Sequence, residues 1–77
     1  MSETRSHDDY WDAGDMGCGD LVVRLRMKLK AMPGRVLKVH ATDLGAPADL
    51  PSFCRMTGDT LLERDEGTSM YWIKAKG

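Results

Sequence analysis

The chain has 77 residues, a net charge of −1 and 30% charged residues, which is room for one domain and little more. A chain this short buries only about 60% of the surface it exposes when unfolded, so its core is thin. Two cysteines exclude a disulfide scaffold, and no apolar run approaches the ~20 residues of a membrane helix. The start, MSETRSHDD, is polar and acidic and has none of the apolar core of a secretory signal. A cytoplasmic protein with both thiols reduced is the expectation.

Charge is unevenly spread. Asp8, Asp9, Asp12, Asp15 and Asp20 form an acidic stretch without a base, and Arg24, Arg26, Lys28, Lys30, Arg35 and Lys38 form a basic one without an acid. Cys18 stands where the sign changes. Such runs are commonly solvated faces; the sharper reading is a docking surface for an acidic partner.

Residues 1–9 read as a flexible, charged tail ahead of a single domain over 10–77. His7 beside Asp8 and Asp9 lacks the ligand spacing of a metal site. Tyr10-Trp11 reads as a short strand, and Asp12–Gly17, punctuated by glycine, as a loop. Val23–Lys30 alternates strictly, which taken alone is a strand pattern. As a helix, the segment gathers Leu21, Val22, Leu25, Leu29 and Met32 within about 100° of arc and leaves Val23 and Met27 on the far side. Its length and its Leu, Arg, Met, Lys and Ala content favour helix, which Pro33-Gly34 ends.

Val36–Thr42 alternates as a strand covered on one face by Leu37, Val39 and Ala41. That leaves His40 on the solvent side rather than in a catalytic role, because a base needs a partner within reach. Asp43–Pro51 reads as a loop entering a second helix in which Leu50, Phe53, Cys54 and Thr57 share a face. Pro51 then belongs in the first turn and Gly58 terminates the helix. Cys54 reads as a core residue, with a resolving thiol for Cys18 as the alternative. Thr60–Asp65 and Ser69–Lys74 flank Glu66-Gly67-Thr68 as a hairpin, with Leu61, Leu62, Tyr71, Trp72 and Ile73 facing the core. Two helices on one face of a small sheet follow from this order.

Asp12-Ala13 ahead of Gly17-Cys18, Met32-Pro33-Gly34, Ala41-Thr42-Asp43, the run Asp49–Cys54, and Thr57-Gly58 leading into Leu61-Leu62-Glu63 occur in an order that resembles the TusA/SirA-like family of sulfur carriers, from about Tyr10 to Lys76. The resemblance implies an α+β fold, a βαβαββ two-layer sandwich with two helices on one face of a four-stranded mixed sheet, similar to the C-terminal domain of translation initiation factor three. It also implies a cysteine at the start of the first helix that accepts sulfane sulfur from a cysteine desulfurase or a rhodanese-like protein. An acceptor protein then takes the sulfur on to tRNA thiolation, cofactor synthesis or sulfur oxidation. The family cysteine falls on Cys18. The family's Cys-Pro-x-Pro is Cys18-Gly19-Asp20-Leu21 here, and Asp15 stands where the family commonly has glycine.

On this reading Cys18 is the catalytic residue, and Gly17, Gly19 and Asp20 form the environment of its thiolate. The amides and macrodipole of a helix start lower a cysteine pKa from its usual ~8.5. Asp15 and Asp20 oppose that. Arg24 and Lys28 are the nearest bases, either orienting a partner through charge complementarity or serving as ordinary surface bases. No cofactor and no metal are expected, because Cys18 with its aspartates mixes soft and hard donors. No contact with membrane or nucleic acid is expected either; the net charge of −1 argues against RNA. The expected activity is that of a persulfide-carrying sulfurtransferase. A non-catalytic interaction, regulatory or redox-sensing module on the same fold is the alternative.

Overall fold

The computed structural model describes residues 7–77 and, of Cys18, the backbone. Met1–Ser6 of the expected tail lie outside the described residues. The chain runs β1 (Asp9–Gly14), α1 (Cys18–Lys30), β2 (Val36–Ala41), α2 (Ala46–Thr57), β3 (Thr60–Asp65) and β4 (Met70–Lys74). The four strands form one sheet in the order β1-β2-β4-β3. β1 and β2 are parallel, whereas β4 is antiparallel to β2 and to β3. This is the expected βαβαββ arrangement. A parallel pair cannot be closed by a tight turn and needs a crossover element. Here α1 returns the chain from β1 to β2, and α2 carries it past β4 to β3.

Helix wins over alternation in α1 because only the helical period covers the sheet. Leu21, Leu25 and Leu29 are buried and Val22 and Met32 pack against the core, while Val23 is 59% and Met27 67% exposed. From the sheet side, Leu37, Val39, Ala41, Tyr71 and Ile73 complete the core. Burying a leucine or isoleucine side chain contributes about 1.5–3 kcal/mol, so this narrow stripe supplies much of the fold's stability.

Four readings from sequence need correction. β1 extends to Gly14 rather than ending at Trp11, because Asp12 and Gly14 continue the ladder opposite His40 and Ala41, with a bulge between them. Trp72 does not face the helices. It lies between Tyr71 and Ile73, so the period of two turns it to the opposite face, where it is buried with the Lys38 ammonium 5.4 Å from its ring centroid. Leu62 is the extra residue of a second bulge, since pairing jumps from Leu61–Ile73 to Glu63–Trp72; it is half-buried and outside the core cluster.

The fourth correction concerns α2, which begins at Ala46, a full turn before the expected start. Asp43 Oδ2 accepts the Gly45 N–H at 3.0 Å and opens the helix. Pro51 therefore sits inside it. Without an N–H, Pro51 cannot bond the carbonyl four residues back, which is that of Pro47. The Arg64 guanidinium fills the gap, donating from Nη1 to Pro47 O at 2.9 Å while Nη2 pairs with Glu66 at 3.2 Å. Arg64→Ala strands the Pro47 carbonyl, and the expected cost is about 0.5–1.5 kcal/mol. Urea unfolding reads this as a lower midpoint at constant slope; an unchanged midpoint means that water serves the carbonyl equally well.

Gly58 closes α2 at φ 89°, its N–H donating to Cys54 O at 2.9 Å. Ala46, Leu50, Phe53 and Cys54 form the buried face. Burial, assisted by the Asp59 charge, raises the Cys54 thiol to about 11. Cys54 is thus a core residue with little thiolate near neutrality, unsuited to resolving a disulfide. In the folded protein, iodoacetamide at pH 8 should leave Cys54 unmodified, and denaturant should release it. Peptide mapping of the two reactions decides the point, and rapid native labelling of Cys54 would refute it.

Candidate functional site

The candidate site is built from the end of β1, the three-residue connection 15–17 and the start of α1. Asp12 Oδ1 accepts the Gly14 N–H at 3.0 Å, an Asx-type turn that holds the backbone while the strand bulges. Gly14 takes φ 59°, a conformation that costs glycine little and a β-carbon considerably more. Its carbonyl accepts the Thr42 N–H at 2.8 Å, and the Ala13 carbonyl accepts the Met16 N–H at 3.2 Å. The chain leaves the sheet through these bonds and enters α1 at Cys18.

Gly17 is the N-cap, extended at φ −66° and ψ 159°, with no side-chain cap. Cys18 is the first helical residue. The first helical hydrogen bond runs from Leu21 N–H to Gly17 O at 2.8 Å, so the amides of Cys18, Gly19 and Asp20 lie ahead of it. Gly17, Gly19 and Asp20 are exposed, and a β-carbon built on either glycine would meet no atom within 4 Å beyond its chain neighbours and the helix's own backbone. The amide end of α1 is therefore open to an approaching molecule at both positions flanking Cys18. Asp20 lies in the first turn.

Arg24 and Lys28 are also exposed. At the helical rise of about 1.5 Å per residue they stand ~9 and ~15 Å along the axis from Cys18. The Lys28 ammonium lies 5.4 Å from the Trp11 ring centroid, on the β1 side of α1. Topology brings both helix starts to the same end of the sheet, because each follows a parallel strand. At the other end, between the last turns of α1 and α2, lies a cleft of about 360 Å³ whose lining includes Arg26, Lys30, Met56, Asp59 and Lys76.

The reading of His40 changes in one respect. It is on the sheet face away from the helices, as expected, but Nδ1 lies 2.9 Å from Asp12 Oδ1. The hydrogen bond from His40 is the main reason that the Asp12 carboxyl titrates below its ordinary 3.8, with the Gly14 N–H assisting. A depressed carboxyl stabilises the fold above its unfolded value and loses that contribution as the pH falls through the lower folded value. Sequence gives no sign of this pair, because only the strand register sets Asp12 opposite His40. Among the described residues no group of three or more His, Cys, Asp or Glu side chains could hold a metal, and no helix is long and apolar enough to cross a membrane.

No protein-family model matches the chain. Similarity to individual proteins is extensive. The sulfur carrier protein TusA of Pseudomonas aeruginosa (strain LESB58) is 41% identical over 76 residues, covering 95% of this chain and 96% of the relative. The protein of the same name from Pseudomonas syringae pv. syringae (strain B728a) is 38% identical over 77 residues, covering 96% and 92%. That from Pseudomonas entomophila (strain L48) is 40% identical over 73 residues, covering 91% of each. With end-to-end similarity of this degree, and with the expected βαβαββ fold, the chain belongs to the TusA family of sulfur carriers.

Proposed function

We propose that this chain is a small sulfur carrier in which Cys18 takes up sulfane sulfur as a persulfide and relays it to an acceptor protein. The observation that supports this reading most directly is the open amide end of α1, where the Cys18 backbone is the first helical residue and both flanking glycines have free space around them. Amides ahead of the first helical bond, together with the positive end of the helix dipole, favour a sulfur anion there. Burial and its raised pKa remove the other cysteine, Cys54, from consideration.

The transfer needs no external oxidant. The Cys18 thiolate attacks the outer sulfur of a donor persulfide, and the donor's S–S bond breaks as the new one forms. The donor cysteine departs as a thiolate and takes up the proton, leaving Cys18 as the persulfide. Repetition of the same step with an acceptor thiol returns Cys18 to its starting state. The donor is a cysteine desulfurase or a rhodanese-like protein, and the cytoplasm is the compartment in which such a thiol stays reduced. Gly17, Gly19 and Asp20 flank the Cys18 backbone and supply the environment of its thiolate, and Arg24 and Lys28 steer a partner of opposite charge toward that end of α1.

Incubation with a cysteine desulfurase and cysteine, followed by intact mass spectrometry, tests the proposal. The expected result is a reductant-labile gain of one sulfur atom in the wild type and none in a folded Cys18→Ser variant. Sulfur uptake undiminished in Cys18→Ser, or absent from the wild type, overturns it. In the second case, a Cys18 thiol titrating at or above an ordinary cysteine favours an interaction or redox-sensing module.

A further inference from the structure

We propose that Asp12 and His40 act together as a positioning pair for Cys18, fixing the turn by which β1 delivers the chain to α1. The inference rests on Cys18 being the reactive residue of the proposed function. Its basis is the sharing of one oxygen, Asp12 Oδ1, which accepts the Gly14 N–H at 3.0 Å and lies 2.9 Å from His40 Nδ1. The first contact holds Gly14 at φ 59°, where the strand bulges and turns. The second ties that carboxylate to the adjacent strand. Only Asp15, Met16 and Gly17 separate the turn from Cys18, and Met16 is itself bonded back to Ala13. A change in the Asp12 carboxylate is therefore passed along a short, braced connection to the amide end of α1.

His40 makes this connection sensitive to pH. Histidine ordinarily changes charge between about pH 5 and 8. A protonated imidazole gives Asp12 a charge-assisted hydrogen bond, stronger and shorter than a neutral one. His40 is enclosed by β1 and β4, where its register partners are Asp12 and the neutral Met70. Lys38 and Tyr10 lie further along the same face, and Asp65 lies across Met70 on β3. Asp12 is the one carboxylate in register with His40. The imidazolium also adds positive charge at the end of the sheet from which the chain runs through Asp15 to Cys18 and Asp20.

The test is the rate of Cys18 alkylation by iodoacetamide between pH 5 and 9, read by peptide mass and independent of any sulfur donor. In the wild type, the pH dependence should contain an inflection in addition to that of thiol ionisation. His40→Gln, which still offers Asp12 an N–H, should lose that inflection. Asp12→Asn keeps the oxygen that holds Gly14 and should react at close to the wild-type rate without the inflection. Asp12→Ala should slow alkylation about fivefold, equivalent to ~1 kcal/mol at 1.36 kcal/mol per tenfold. A wild-type rate in folded Asp12→Ala, or the wild-type profile in His40→Gln, overturns the proposal. Should Asp12→Ala not fold, the Asn and Gln variants decide the matter alone. A protein that takes up no sulfur yet shows the His40-dependent profile would retain the positioning pair and lose the carrier function; the reverse result would separate them in the other direction.

Discussion

The burial of Leu21, Leu25 and Leu29 against Leu37, Val39 and Ile73 is the contact on which the rest of this molecule depends. Side chains three and four apart meet one sheet face only if α1 lies along it, and this fixes the helix axis relative to β1 and β2. Leu21 is fully buried within the first turn. The end of the helix is therefore pinned by packing and not left to fray, although Gly17 offers no side-chain cap and capping by Ser, Thr, Asp or Asn is commonly worth about 1 kcal/mol. Packing and cap chemistry thus divide labour: the leucines hold the helix end still, and the glycines leave its amides uncovered.

Much of this was legible in the amino-acid sequence, for a definable reason. The 3.6-residue recurrence of Leu21, Leu25 and Leu29 and the strict alternation of Val36–Ala41 are local statements about which side of an element is buried. The ordered landmarks around Cys18 and Asp49–Cys54 carried the fold with them. What stayed illegible was set by pairing across the sheet. Bulges at Asp12/Gly14 and Leu61/Glu63 depend on the partner strand, and alternation alone does not say where it is interrupted. Bulk alone assigns Trp72 to the core beneath the helices, whereas parity sets it on the face opposite Tyr71 and Ile73. The Asp12–His40 contact joins residues 28 apart and exists only in one parallel register.

α2 illustrates a local rule overridden by a distant residue. Proline inside a helix ordinarily costs ~3 kcal/mol, part of it from a carbonyl left without a donor. Here the donor comes from β3, as Arg64 reaches the Pro47 carbonyl. The helix thereby gains the turn Ala46–Asp49 that propensity alone would have assigned to the loop, and with it the buried Ala46.

At the start of α1, Cys18-Gly19-Asp20-Leu21 stands in place of Cys-Pro-x-Pro. Proline at positions 19 and 21 would fix φ and start the helix without needing either N–H. In this chain Leu21 has an N–H, donates it to Gly17 O and buries its side chain, so helix initiation comes from a hydrogen bond and packing. Gly19 adds an amide at the open end but also a freedom worth about 0.5–1 kcal/mol, which rigid proline would have removed. Beyond the packing of Leu21, stiffness at the helix start can come from the segment before it. The braced turn at Asp12–Gly14, with Thr42 on the Gly14 carbonyl and Met16 on the Ala13 carbonyl, is where this chain has it. Without the prolines, the helix start is held by the packing of Leu21 and by the turn that Asp12 and His40 brace from the sheet.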